Sequence, residues 1–195
     1  MPKSPENAAT SIEAKVVSNA EELMQVFAIR SAVYMAEQRC PYEEEFDGND
    51  YTATHILGLV DGKPAACLRM RWFAGFAKAE RMTALRAYRG SGVIDAVAGK
   101  CFDLAERKGY RRLHIHAQRR LVPRWAGYGF RPKSNCVFHF SDHEYVTLVR
   151  ELEPPVDALD EDTDPMVLLR PEGDFDRPGV LERSQMRAPT NPVGL

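Results

Sequence analysis

Residues 77–118 read AKAERMTALRAYRGSGVIDAVAGKCFDLAERKGYRRLHIHAQ and decide the fold. A strand-like run at 77–85 is followed by a helical pattern at 92–108. A second run, at 111–118, alternates apolar and polar residues as a strand does, and Gly109 between helix and strand is a C-cap. A strand–helix–strand unit of this kind pairs its strands in parallel through a right-handed crossover. The stretch therefore predicts a parallel strand pair within an α/β fold.

The sequence on either side of this unit adds further strands and helices. Ser18 and Glu21 form a capping box that starts a helix, and Asp61-Gly62 is a two-residue hairpin signal. Residues 39–52 are acidic and indicate a loop or a broken helix. The remaining predicted elements are strands at 12–17, 53–60, 64–73, 136–141 and 144–152 and a short helix at 120–128.

The composition divides the chain into three parts. Residues 1–11 are polar and predicted to be loose, and residues 12–152 form one domain. Residues 153–195 form an acidic tail that contains prolines and is predicted to be mostly disordered. Residues 151–195 hold 11 acidic residues and 4 arginines. Met166–Leu169 is an apolar run in this tail that could dock onto the domain or onto a neighbouring chain, as in a homodimer.

Charge and cysteine usage exclude several classes of protein. The chain has 195 residues and a formal net charge of −2, but the part before the tail is mildly basic, which suits a small anionic ligand better than nucleic acid. No apolar run reaches the roughly 18 residues of a membrane span, and the N-terminus lacks a secretory signal. The 4 cysteines form no CxxC pair and the histidines no metal-ligand pattern, so we expect a cytoplasmic protein without metal.

Arg89, Gly90, Ser91 and Gly92 lie where the predicted strand gives way to the helix. A helix N-terminus presents unpaired N–H groups, and glycines let a phosphate approach the backbone closely. The pattern is neither a P-loop nor a dinucleotide fingerprint, because it lacks the GK[ST] of the former and the third glycine of the latter. It predicts an anion site, although a plain surface turn has the same appearance.

In this context the sequence resembles the GNAT acyltransferase superfamily, over about residues 12–152. The resemblance is closest to small bacterial members of unassigned substrate. It implies a mixed central sheet of six to seven strands, flanked by about four helices, in which the parallel strands splay apart. The matching positions, beside the R-x-x-G of Arg89 and Gly92, are Arg30-x-x-Val33-Tyr34, Glu37-Gln38, Asp47-x-x-Asp50, His55, Arg69, Glu80-Arg81, Ala117-Gln118 and Gly129-Phe130.

The resemblance also implies acetyl-CoA, or another acyl-CoA, as co-substrate. The pantetheine would lie between the splayed strands and bond to the backbone of Met82, Thr83 and Ala84. The loop amides of Gly90, Ser91, Gly92, Val93 and Ile94 would hold the pyrophosphate together with Arg89. The sequence departs from the family pattern twice. Ile94 replaces a glycine or alanine. Trp125 stands where many members have a general-acid tyrosine, and because an indole is not a useful proton source we expect it to bind the co-substrate by packing against the pantetheine.

The same resemblance suggests residues for catalysis and for the acceptor. Glu80 is the first candidate for the base that deprotonates the attacking amine, and His116 is the second. The alternatives are an ion pair of Glu80 with Arg69 or Arg81, and a surface role for His116. The candidates for binding the acceptor, a small-molecule or protein amine, are Arg30, Asp47, Asp50, His55 and Arg69.

Three functions remain open from the sequence. The first is an acyl-CoA-dependent N-acyltransferase, most simply one that acetylates a primary amine. The second is an N-acyl synthase of the acyl-homoserine-lactone type, which Arg30, Asp47, Asp50 and Arg69 suggest. The third is a non-catalytic module with this fold that binds CoA, which Ile94 and Trp125 suggest.

Overall fold

Seven strands form one sheet in the computed structural model, which describes residues 10–140, 142–184 and 186–188. Among these residues the strand order is β1-β2-β3-β4-β5-β7-β6. The pair β4–β5 is parallel, and every other neighbouring pair is antiparallel. The strands are β1 (Ile12–Val16), β2 (Thr54–Val60), β3 (Lys63–Phe73), β4 (Phe76–Ala84), β5 (Arg112–Gln118), β6 (Arg131–Phe140) and β7 (His143–Glu151). The predicted mixed sheet with one parallel pair is confirmed.

Helices lie on both sides of this sheet and in the tail. They are α1 (Ala20–Arg30), α2 (Tyr42–Glu45), α3 (Val93–Arg107), α4 (Val122–Ala126), α5 (Pro165–Leu168) and α6 (Val180–Ser184). A π-helical segment, Ser31–Glu37, continues α1, and α2 lies within the broken acidic segment that the sequence predicted. The helix predicted at 120–128 is shorter than expected, with one 3₁₀ turn at Arg119–Leu121 before α4.

The cap of α1 corrects the predicted capping box by one residue. Asn19, not Ser18, is the N-cap, and its side chain accepts the Glu22 N–H at 2.9 Å. The Glu22 carboxylate accepts the Ser18 N–H at 2.9 Å and lies 2.5 Å from Lys15 Nζ. Glu22 therefore takes the capping-box role that was expected of Glu21. From this position its carboxylate also reaches Lys15 on β1.

The parallel pair splays apart after three residue pairs. Ala77–Ala79 pair with Leu113–Ile115. Beyond this point β4 stays paired with β3 as far as Ala84, and β5 stays paired with β7 as far as Gln118. A β-bulge marks the divergence, because Arg81 has φ +54° and the β3–β4 register shifts there. The expected opening between the two strands is confirmed.

Two apolar layers hold the sheet between α3 and α1. Val93, Val97 and Cys101 of α3 are fully buried against one face. Gly58 on β2 makes this close approach feasible, since a Cβ there would lie 2.6 Å from Val97 Cγ2. On the other face Val26 of α1 packs in a separate cluster over β2 and β3. On this face α1 packs over β2, β3 and β4.

The tail lies partly on the domain, which its acidic composition did not indicate. Phe175 is 6% exposed and belongs to the same apolar cluster as Val16. Glu172 lies 2.8 Å from Lys108 Nζ. A Cβ at Gly173 would lie 2.2 Å from Val16 Cγ2, so a glycine is required at this contact. The docked part thus includes Phe175 and, from the predicted docking run, Val167, while Leu168 and Leu169 are about half exposed.

We expect Phe175→Ala to lower the free energy of unfolding by about 1.5–3 kcal/mol, the contribution of burying one large apolar side chain. Urea denaturation of the full chain measures this loss. Val180→Ala is the matched control, because Val180 is 67% exposed and should change stability by less than about 0.5 kcal/mol. Equal stability of the two variants would contradict the docking of the tail.

Candidate active site

The opening between β4 and β5 exposes one edge of the bulged end of β4. Two carbonyl groups of this stretch already accept hydrogen bonds from side chains. Tyr34, in the π-helical segment, donates its hydroxyl to Met82 O at 3.1 Å. Arg89 Nε donates to Ala84 O at 3.2 Å. Each carbonyl oxygen has a second lone pair, so a pantetheine amide could still bond beside these donors.

The loop after β4 ends in an open helix N-terminus. Gly90 and Gly92 have φ of +84° and +94°, which explains why this turn needs glycine at both positions. Gly92 is the N-cap of α3 and offers no side chain to the first turn, although Ser91 Oγ accepts the Val93 N–H at 3.3 Å. The remaining N–H groups of that turn, Ile94 among them, suit an anion.

Arg89 is anchored beside this loop. Its Nη2 lies 2.6 Å from Glu37 Oε2, and its side chain is 46% exposed. The guanidinium thus spans the end of β4 and the π-helical segment at the edge of the helix N-terminus. Ile94 lies half-buried against the core, where the resemblance places a smaller residue.

A buried network of charges holds the acidic segment against β3 and β4. Arg30 and Arg69, 0% and 1% exposed, are its centres. Arg30 donates to the side chain and carbonyl of Glu45, and its Nη1 donates to Asp50 at 2.6 Å. Arg69 donates to Asp47 at 2.7 Å and 2.8 Å and to Asp50 at 3.0 Å. This cluster, the arginine–carboxylate network, occupies the acidic groups that the sequence assigned to a cationic acceptor.

The network lowers the pKa values of two of its carboxylates, Asp47 and Asp50, whereas burial raises the pKa of Glu45. Hydrogen bonds from Arg69 hold the pKa of Asp47 well below its usual value. Burial works to raise the pKa of Asp50, but hydrogen bonds from Arg30 and Arg69 outweigh it and lower that pKa. His55 is 4% exposed, its Nε2 lies 3.2 Å from Asp50 O, and burial lowers its pKa, so it is neutral at pH 7. That Asp47, Asp50 and His55 contact the acceptor amine remains a prediction.

Glu80 lies at the mouth of the opening and joins the same network. Its Oε2 accepts from Arg69 Nη2 at 2.6 Å and from Arg69 Nε at 3.0 Å, and its Oε1 lies 2.6 Å from Lys78 Nζ. Burial works to raise its pKa, but Lys78 and Arg69 outweigh this effect and lower it. The ion pair with Arg69 that the sequence left open is therefore present. Arg81, the other partner considered, instead reaches Glu45 Oε2 at 3.1 Å.

His116 lies across the opening from Glu80. It occupies the exposed face of β5, immediately after the last residue paired with β4, and stacks edge-on against Phe138 at 4.9 Å. Desolvation lowers its pKa, with Lys78 acting in the same direction and Glu80 against it. At neutral pH the imidazole is therefore uncharged, and no described residue hydrogen-bonds to it. Such a group can accept a proton.

Trp125 and Tyr128 lie behind the anion loop. Trp125 packs edge-on against Phe130 at 5.3 Å and is 5.8 Å from Tyr128. Tyr128 donates its hydroxyl to Asp95 in the first turn of α3. The indole thus packs against the apolar core, and the Tyr128 hydroxyl is bound to a carboxylate.

Sequence reasoning missed two residues that the structure brings to the site. Tyr34 was part of a matched motif, but the π-helical segment that directs its hydroxyl to Met82 O has no sequence signature. Lys78 precedes Glu80 by two residues on a strand, and strand alternation could have placed both side chains on one face.

A mixed sheet with a splayed parallel pair beside an open helix N-terminus is the architecture of CoA-dependent N-acyltransferases. Comparison with known families agrees, since residues 22–130 match the acetyltransferase (GNAT) family. The chain belongs to the GNAT family of acetyltransferases, whose members use acyl-CoA as co-substrate. No described helix is long and apolar enough to span a membrane, and no three potential metal ligands cluster among the described residues.

Relatives of known structure or sequence align with this chain over most of their own length. An uncharacterised N-acetyltransferase of Bacillus subtilis strain 168, YjcF, is 30% identical over 65% of this chain and 91% of its own. An acyl-CoA N-acyltransferase from Pseudomonas aeruginosa is 25% identical to this chain, with a TM-score of 0.65. The match covers 72% of this chain and 99% of the Pseudomonas chain. The CoA-dependent acyl-homoserine lactone synthase BjaI shares the fold, with a TM-score of 0.62 and 12% sequence identity. The match covers 73% of this chain and 84% of the BjaI chain.

Proposed function

We propose that this protein transfers an acyl group, most simply acetyl, from acyl-CoA to a primary amine. The single observation that carries the proposal is the opening between β4 and β5, which begins after Ala79 and Ile115 and leads to the N-terminus of α3. An extended chain can add to the free edge of β4 as a strand does. A pyrophosphate then meets the loop amides and the positive end of the helix dipole.

The acceptor amine would attack the thioester carbonyl carbon, forming a C–N bond as the C–S bond breaks. Attack needs the neutral amine, so one proton must pass to a base, and the departing thiolate takes up a proton. We assign the base to His116, because its ring is neutral, open to the acceptor side and without a hydrogen bond to any described residue. Glu80, held by Arg69 and Lys78, would act as a positioning residue.

Arg89 provides a test of the co-substrate site. We expect Arg89→Ala to weaken acetyl-CoA binding by about 1–3 kcal/mol, through loss of a charge-assisted contact with phosphate and of the bond to Ala84 O. Isothermal titration of acetyl-CoA measures the change. Arg131→Ala is the control, because Arg131 is exposed and pairs with Glu151 on the far edge of the sheet. Binding that Arg89→Ala leaves unchanged would contradict the placement of the phosphate.

One observation favours the synthase as a second candidate. The arginine–carboxylate network joins Arg30, Asp47, Asp50 and Arg69, the positions that suggested an acyl-homoserine-lactone synthase. BjaI, a protein of that activity, shares the fold. In this chain, however, the network is saturated by its own ion pairs. Formation of a lactone product from S-adenosylmethionine and an acyl-CoA would establish this second candidate.

A further inference from the structure

A groove of about 480 Å³ crosses the face of the sheet that α1 leaves uncovered. Its lining residues include Phe76 and Lys78 on β4, His114 and His116 on β5, and Lys133 on β6. Lys78 and His114 are direct partners in the parallel pair. The groove therefore lies over the paired part of the two strands and reaches His116, the first residue of β5 beyond the last pair, where the opening for the thioester begins.

The walls of the groove combine aromatic and cationic groups. The His114 ring stacks on Phe76 at 4.4 Å, and Phe76 stacks in turn on Phe73 at 5.0 Å. Lys133 is exposed and forms no ion pair within residues 10–140, 142–184 and 186–188. This lysine stands in the irregular part of β6, where the register with β7 shifts after Pro132.

Acidic groups near the groove are already neutralised. Glu80 is the carboxylate that faces His116 most directly, and Lys78 and Arg69 hold both of its oxygens. Glu151 on β7 acts on His114, but it pairs with Arg131 at 2.8 Å. Arg112, Lys78 and Lys133 all disfavour a positive charge on His114. Lys133 is thus the lysine of the groove that has no carboxylate partner among the described residues. Asp47 and Asp50, which could have attracted a cation, are paired with Arg30 and Arg69.

We infer that the acceptor is a small amine that also carries a carboxylate, with its carboxylate near Lys133 and its apolar part on Phe76 and His114. This inference rests on the proposed function and adds a substrate class to it. The amine would then lie next to His116, which lines the same groove as Lys133. An anion held beside the amine favours acceptors of amino-acid type over a protein side chain, which carries no such anion beside its amine.

Three matched acceptors test the inference: L-phenylalanine, L-phenylalaninamide and phenethylamine, which present the same ring with and without the carboxylate. With acetyl-CoA saturating, we expect kcat/KM for phenylalanine to exceed that for each of the other two by about tenfold or more, as a charge-assisted bond implies. Lys133→Gln should reduce this preference to within about twofold. Lys63→Gln, at the exposed hairpin between β2 and β3, is the control and should preserve it.

The outcomes separate the inference from the proposed function. Acetylation of phenethylamine or the amide at least as fast as phenylalanine would overturn the carboxylate assignment and leave acyl transfer intact. Phosphoethanolamine used in preference to phenylalanine and to glycine, which match it as small acceptors, would also overturn it, in favour of a phosphate. Binding of acetyl-CoA without acetylation of any of these amines would contradict both.

Discussion

Replacing Arg69 with methionine should lower the free energy of unfolding by about 3–5 kcal/mol, which is the cost of removing one partner from a buried ion pair. The Arg69 side chain is 1% exposed and donates to Asp47, Asp50 and Glu80. Methionine fills most of the space but leaves these carboxylates facing each other. Urea denaturation at pH 7 measures the loss.

Arg119→Met is the matched control for this variant. Arg119 is 64% exposed and lies 3.3 Å from Glu144, so its removal should cost less than about 1 kcal/mol. A loss at Arg69 no larger than the loss at Arg119 would show that the arginine–carboxylate network does not hold the acidic segment in place.

The pH dependence gives a second view of the same network. Asp47, Asp50 and Glu80 have lowered pKa values in the folded chain. Their contribution to stability is therefore complete above the unfolded pKa of about 4 and is lost as the pH falls through the lower folded values. The stability difference between the wild-type chain and Arg69→Met should narrow below about pH 4.

Replacing His116 with alanine should lower kcat for acyl transfer by about 10²–10⁴-fold, the usual contribution of a general base. The affinity for acetyl-CoA should stay within about twofold of the wild-type value, because the anion loop and the edge of β4 are untouched. Single-turnover acetylation of phenylalanine, or of whichever tested amine the wild type acetylates fastest, measures the chemical step. Because the pKa of His116 is lowered, the wild-type rate should rise with pH through a value below 6.5. In the pH–rate profile of His116→Ala this rise should be absent.

Two further variants distinguish a base from a structural histidine. His143→Ala, at an exposed position on the β6–β7 hairpin, should retain the wild-type rate. Glu80→Gln weakens the contacts with Lys78 and Arg69 and should therefore lower the free energy of unfolding. The factor by which the rate per folded molecule falls should be smaller than the factor by which the unfolding equilibrium constant changes. A large loss of rate in Glu80→Gln together with a full rate in His116→Ala would assign the base to Glu80 instead.

The sequence was sufficient for those features that depend on local pattern. The parallel pair followed from strand, helix and strand in succession, and the turn at Gly90 and Gly92 followed from glycines before a helix. Even among these features, the predicted start of α1 was wrong by one residue, because Ser18 and Asn19 are both good N-caps. With Asn19 as the cap, Glu22 also pairs with Lys15 on β1, a contact that no local pattern shows.

The features that sequence reasoning missed depend on contacts between distant segments. Arg30 and Asp50 are 20 residues apart, and Arg69 and Asp47 are 22. Both aspartates looked like acceptor ligands because nothing local shows that two arginines fold over them. The tail illustrates the same limit, since its acidic average hides Phe175, which is buried in the same apolar cluster as the distant Val16.

The most direct test of acyl transfer uses the 195-residue chain with acetyl-CoA and an amine panel that includes phenylalanine, phenethylamine and glycine. Free CoA thiol and N-acetyl product are measured together by mass spectrometry over time. We predict that CoA and one acetylated amine appear in equal amounts, at a rate that Arg89→Ala and His116→Ala both reduce. Tight binding of acetyl-CoA with no amide formed from any amine would contradict transfer and leave a CoA-binding module without turnover.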